Sequence, residues 1–449
     1  MHLFARIADI QSLAGPDAPV QALLHQVQQA WYLRQHDPVQ SAQAVLAAQA
    51  MLANEDLVLP TTARIRTQAR LLLVQAESHW LQADFETAQA LAHDALALDN
   101  TVDDQTVHAD ANFLLSQVHS NNGNLTQRDA CLERAVDAAT LGQDSERIDF
   151  LEATQARYAS LRDTRQALVR WGQRFSTAPQ NLPPSVAPAV HNFLGTIKYN
   201  TGHFAEALQH LNLCFEGACE TGQIVTAVTA AVNAGNTYVG LNDHEAALEW
   251  LNKGLDLARA HSWPLTLGPC LRQIGEIMRI MGRLDVAQAQ LNEALQVFAP
   301  LQNSRNFGLV LAALGDLALD QGDFDRARTL FAEKIARAKA MGQIDQEIEG
   351  QLGLARALMG VQNMGEAQFA ISRALTLAQG QGATMMVISA LRLLAQLHRA
   401  WGHREESLKY LEQALSVART IVGYLLPGEL LQELADEYAH VGRFEEAYQ

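Results

Sequence analysis

Small and large apolar residues recur along this chain in a pattern that returns every 40 residues. One position of the pattern is small: Gly195, Gly235, Gly275, Gly315, Ala355, Ala395 and Ala435. Twelve residues further on it is small again: Ala207, Ala247, Ala287, Ala327, Ala367, Ser407 and Ala447. Between the two falls a turn residue, at Gly202, Asn242, Gly282, Gly322, Gln362, Gly402 and Gly442. Large apolar residues follow at helical spacing, as Leu211 follows Ala207, Leu291 follows Ala287 and Phe331 follows Ala327. This arrangement predicts two antiparallel helices per unit, packed closely where a side chain is nearly absent and sealed by large residues on either side. Gly at the turn suits a helix C-terminus, where the left-handed conformation costs it nothing.

Self-similarity at such a period predicts an all-α solenoid, each repeat one supersecondary unit stacked on the next. Towards the N-terminus the register continues but decays. Ala83-Asp84-Phe85 with Ala88, and Gly123-Asn124-Leu125, stand 40 residues apart. A turn at Arg162-Asp163, followed by Ala167, fits with one residue missing, and His36-Asp37-Pro38 with Ala42 lies at a longer spacing. The chain is thus expected to hold ten helical hairpins and an eleventh cut short.

These residues resemble the tetratricopeptide repeat: small residues, an aromatic after the turn, then Ala and a large residue. The common unit has about 34 residues, so this chain is similar to the long-helix variant found in kinesin light chains and in bacterial regulators. The resemblance implies a right-handed superhelical solenoid that binds a protein or peptide segment in its concave groove, with neither cofactor nor metal. It also implies a second role, as the N-terminal sensory or regulatory domain of a larger bacterial signalling protein of diguanylate cyclase or transcription activator type. The last residues, Gly442-Arg443-Phe444-Glu445-Glu446-Ala447-Tyr448-Gln449, start a second helix and stop. A solenoid end of this kind exposes apolar seam, which leads to the expectation of a parent chain that continues, or of a homodimer through the C-terminal end.

Three divisions are expected: degenerate hairpins over residues 1–175, a linker or hinge over 176–185, and a regular array over 186–449. The middle segment holds Pro179, Pro183 and Pro184, which end one helix and delay the next. A long loop between repeats is the alternative reading.

The resemblance places the groove on the first helix of each hairpin, at ten, six and three residues before the turn. The candidate partner-binding residues are Asn192, Thr196 and Tyr199; Asn236, with Asn233 adjacent to the strip; Arg272, Glu276 and Arg279; Asp316; Arg356; and Arg392 with Arg399. The asparagines offer amide donors and acceptors to an extended backbone, and the arginines offer forked donors to carboxylates. Asn is equally at home on a solvated helix, and these arginines are within reach of Glu276 or Asp316. Leu319, Leu352 and Met359 add apolar surface or belong to the core. No lysine occupies these positions, so a lysine-rich carboxylate clamp is not expected.

Composition narrows the function classes. A hydrophobic content of 48% supports a continuous core, and a net charge of −16 argues against nucleic acid or anionic membrane as the partner. No apolar run reaches membrane-spanning length, and the N-terminus lacks the basic start and apolar stretch of a signal peptide. Cys131, Cys214, Cys219 and Cys270 follow neither disulfide nor zinc spacing, which fits free thiols in a reducing cytoplasm. The 15 histidines are scattered, with His79 and His119 sharing a repeat position expected to be packed or capping. The sequence carries no glycine-rich phosphate loop, no zinc helix and no nucleophile turn. A non-catalytic protein is the expectation.

Overall fold

The structure, a computed structural model, describes residues 1–12, 18–176, 182–302, 304–420 and 428–448. Helices account for the regular structure, and the described residues contain no strand. After a short helix, Ile7–Gln11, the helices come in antiparallel pairs, beginning with Pro19–Leu33 and Pro38–Ala53. Phe204–Glu220 follows Ala187–Asn200, and His244–His261 follows Ile224–Gly240. The regular pairs continue through Arg305–Asp320 with Phe324–Ala340, Ile344–Gly360 with Met364–Gly380, and Thr384–Ala400 with Arg404–Arg419. The last pair is Gly428–His440 with Phe444–Tyr448. The chain is a solenoid of helix hairpins.

The turns inside the regular hairpins are left-handed residues, and several are followed by a cap. Gly282 and Gly322 have φ of +73° and +74° with nothing within 4 Å of a β-carbon, so backbone conformation alone favours glycine there. Asn242 and Gln362 take the same conformation, at φ +60° and +58°. One residue later, Asp243, Asp323 and Asn363 accept a hydrogen bond from the N–H three positions on, which starts the second helix. A second series of left-handed residues, Gly222, Ser262, Gly342 and Gly382, sits about midway and joins one hairpin to the next. The period therefore divides into two helices of nearly equal length.

The small positions work as the spacing predicts. A β-carbon on Gly195 would stand 2.9 Å from Leu211, on Gly235 2.8 Å from Leu251, and on Gly275 2.7 Å from Leu291. The alanines after the turn, Ala207, Ala247, Ala287, Ala327 and Ala367, are fully buried.

By internal contacts the chain forms two compact units. The first comprises Met1–Tyr199 and His203–Cys270, the second Asn200–Gly202 and Leu271–Gln449. In the first, one apolar cluster runs from Leu3 and Phe4 through Trp31, Phe150 and Trp171 to Phe193 and Ile197. In the second, smaller clusters succeed one another around Phe331, Ile371 and Leu411. The proline segment expected as a linker or hinge lies outside the described residues from 177 to 181. On either side of it, Phe175 and Phe193 pack edge to face at 5.9 Å.

Candidate functional site

In the second unit the first helices of successive hairpins line an open cleft of about 460 Å³. Helix Pro264–Ile280 brings Arg272 and Glu276, and Arg305–Asp320 brings Leu309, Ala312 and Asp316. Leu352 and Arg356 come from Ile344–Gly360, and Arg392 and Gln396 from Thr384–Ala400. The structure thus gathers Arg272, Glu276, Asp316, Arg356 and Arg392 in one place, as residues ten and six before their turns. The residues three before the turn, Arg279 and Arg399, do not line this cleft. Residues thirteen before the turn do: Leu309, Glu349 and Ser389. The groove positions taken over from the repeat family stopped one helical turn short of them, although the same period marks them.

Every arginine of the strip already has a carboxylate beside it. Arg272 is bonded to Glu276 one helical turn on. The Nη2 of Arg356 lies 2.8 Å from the Oδ1 of Asp316, within ion-pair reach but off-line, since that oxygen accepts no hydrogen bond. Arg392 donates from Nε to Glu433 at 2.9 Å and from Nη2 to Glu429 at 3.0 Å, while Gln396 donates to Glu433 at 2.9 Å. These bonds to Glu433 first, and the nearby charge, hold Arg392 more firmly protonated than usual. Arg279 reaches Asp320 at 2.5 Å, and Arg399 lies beside the fully buried Glu437, which accepts a bond from Arg404 at 2.9 Å. The Nε and Nη2 of Arg399 are buried without a hydrogen-bond partner.

Lys334 was not legible as a cleft residue. Lys334 projects from the second helix of its hairpin, its side chain fully covered, and its ammonium donates to Glu349 at 2.8 Å. Cleft charge is therefore balanced pair by pair, and a ligand carboxylate would enter by exchange.

The amide candidates belong to the first unit. Asn233 donates to the Oδ1 of Asn192 at 3.3 Å, and Thr196 donates to the Asn192 carbonyl at 2.8 Å. Asn236 is half-buried on the next turn. Tyr199 is 39% exposed with its ring against Phe204.

Sequence profiles of the tetratricopeptide repeat match residues 109–140 and 228–261, and another of the same description matches residues 387–426. The chain carries tetratricopeptide repeats. Its fold is similar to that of NprR in complex with its cognate peptide NprX, with a TM-score of 0.53 at 16% identity over 77% of this chain and 96% of that one. It is also similar to the Cut9 chain of the APC/C hetero-tetramer Cut9-Hcn1, with a TM-score of 0.50 at 14% identity over 96% and 82%. The apo form of the quorum sensor NprR from B. thuringiensis aligns with a TM-score of 0.48 at 16% identity over 78% and 97%. No curated protein matches the sequence significantly.

Other chemistry in this tetratricopeptide-repeat protein is sparse. Among the described residues no group of His, Cys, Asp and Glu is arranged to hold a metal ion, and no helix is long and apolar enough to cross a membrane. The cysteines are free, and burial pushes the Cys214 and Cys270 thiols up to about 12, which leaves them unreactive at neutral pH.

Proposed function

We propose that this protein is a non-catalytic scaffold of the cytoplasm that binds a peptide or an extended partner segment on the inner face of its repeats. The observation that carries the reading is the open cleft of the second unit, with Leu309, Ala312 and Leu352 as apolar floor and Arg272, Arg356 and Arg392 on its walls. Its volume suits several side chains of a peptide. The apolar floor would anchor the ligand, while its carboxylates take the place of Glu276, Asp316 and Glu433 on the arginines. That NprR, a protein of similar fold, has a peptide as its cognate ligand supports the reading. Asn192, Asn233 and Asn236, with Thr196 and Tyr199, would serve an extended backbone on the first unit in the same way, while Arg279 and Arg399 belong to the second unit outside its cleft.

The test is selection from a random-peptide phage library on the full chain, followed by anisotropy with a labelled copy of the selected peptide. Arg272→Ala with Arg392→Ala is expected to weaken binding at least tenfold while the far-UV spectrum and melting stay in place. Selection that enriches nothing over a control protein, or equal binding by the double variant, would refute the assignment of this cleft.

A further inference from the structure

The inner face of the first unit continues the same register into the degenerate hairpins, and it is already occupied. Arg70, Leu73 and Glu77 stand thirteen, ten and six residues before the turn at Ala83, and Asp110, Phe113 and Gln117 stand so before Gly123. Across this face lies the start of the chain, outside any helix over residues 1–6 and bent at Leu3, before the short helix Ile7–Gln11. Leu3 and Phe4 are buried, and so are Ile7 and Ile10.

The main-chain carbonyls of residues 1–3 are held by side chains. The carbonyl of Met1 accepts from Arg147 Nη1 at 3.0 Å, that of His2 from Trp31 Nε1 at 2.9 Å, and that of Leu3 from Arg34 Nη2 at 3.1 Å. The His2 N–H donates to the Tyr32 hydroxyl at 3.1 Å, and Arg6 pairs with Glu220 at 2.9 Å. An ordinary structural element satisfies its backbone in a helix or a sheet. A stretch outside any helix whose consecutive carbonyls are read by Arg and Trp side chains is held as a bound peptide is held.

The donors are themselves fixed. Arg147 bonds Asp110 with Nε and Nη2, both at 3.0 Å, and Arg70 bonds the same buried carboxylate. The Arg34 guanidinium stacks over the rings of Phe4 and Trp31, 4.3 and 4.0 Å from their centroids. Phe4 meets Phe150 at 6.2 Å between centroids. The segment does not fill its site. A cavity of about 80 Å³ remains beside Leu3 and Phe4, lined in part by Glu77, Trp80 and Gln117.

The geometry points to a second peptide site on the inner face of the first unit, which residues 1–11 occupy in cis and which an extended partner segment with two adjacent large apolar residues enters by displacing them. Leu3 and Phe4 define the apolar pair, and the three carbonyl contacts define where its main chain is held. A tethered occupant competes at the high effective concentration of its short connection, so a free peptide meets a closed site until the segment lets go. This site lies in the other unit from the cleft proposed above and stands or falls separately.

The probe is a synthetic peptide of residues 1–11 with a fluorophore at its C-terminus, titrated into the full chain. Leu3→Asp with Phe4→Asp in the protein places two carboxylates against the apolar wall and releases the segment. This variant is expected to bind the probe at least tenfold more tightly than the unaltered chain, and not to bind a probe carrying the same two changes. A folded variant that binds the probe no better than the unaltered chain would overturn the proposal. Should the variant lose helix content, amide exchange in the unaltered chain decides. The Leu3 to Ile10 amides are expected to exchange at least tenfold faster than those of helix Gln105–Asn121. Exchange of both only together would make the segment a permanent part of the core and end the proposal.

Discussion

The ring of Phe331 lies so close to Gly353 that a β-carbon on Gly353 would stand 2.2 Å from its Cε1. The same ring leaves 2.7 Å between its Cζ and a β-carbon on Gly315. One phenylalanine, from the second helix of its hairpin, is thus wedged between the first helices of two successive repeats. Gly353→Ala should cost about 1–3 kcal/mol through overpacking. Gly365→Ala, where no atom lies within 4 Å of a β-carbon, should be neutral or stabilising by up to about 1 kcal/mol. Urea midpoints of the two variants check the contrast, and equal midpoints would remove the wedge from the account.

Lys334 and Glu349 make a second, asymmetric pair. The lysine is fully covered and the glutamate partly exposed. Glu349→Gln leaves an ammonium buried without its counter-charge, whereas Lys334→Met leaves a carboxylate that water can reach. The first should destabilise by about 3 kcal/mol, as breaking a buried pair does, and the second by clearly less. Melting of both variants and of the double variant tests this, with the double variant expected near Lys334→Met.

His191 and His210 stack in the first unit with their Nδ1 atoms 3.0 Å apart. Burial first, then the neighbouring His210, pulls His191 down to about 4, and burial first, then Lys198, lowers His210 in the same direction, with Glu206 opposing. The folded state therefore refuses a proton that the unfolded chain accepts near pH 6.5. Stability from this pair is fully present above that pH and is lost as the pH falls from about 6.5 towards 4. His36, His119 and His398 are lowered as well, so His191→Gln should flatten only part of the decline. Melting temperatures between pH 7.5 and 5 check the slope, and a variant that declines as steeply as the unaltered chain contradicts it.

Glu433 occupies the guanidinium of Arg392 that the proposed ligand would need. Glu433→Gln should therefore raise affinity for an acidic peptide selected on the cleft by roughly tenfold, about 1.4 kcal/mol. Anisotropy titration measures it, and a weaker complex would mean that Glu433 positions Arg392 rather than competing for it.

The repeat was written in the sequence because its physics is local. Gly195 meets Leu211 and Gly275 meets Leu291 within one hairpin, and the left-handed turns at Asn242, Gly322 and Gln362 are closed by a cap one residue away, so a 40-residue period exposes them all. The same period carried Arg272, Asp316, Arg356 and Arg392 onto one face. It did not reveal the midway turns at Ser262 and Gly342 or the cleft residues thirteen before the turn, though both follow the same spacing.

What tertiary structure decided was pairing across long separations. That Arg392 bonds Glu433 and that Arg147 holds the carbonyl of Met1 depend on which helices the stack brings together. A side chain with several carboxylates within possible reach carries no sign of which it will choose. The segment from Met1 to Ile10 shows this most plainly. It belongs to no repeat, its partners lie up to 146 residues away, and only the folded inner face turns it into an occupant.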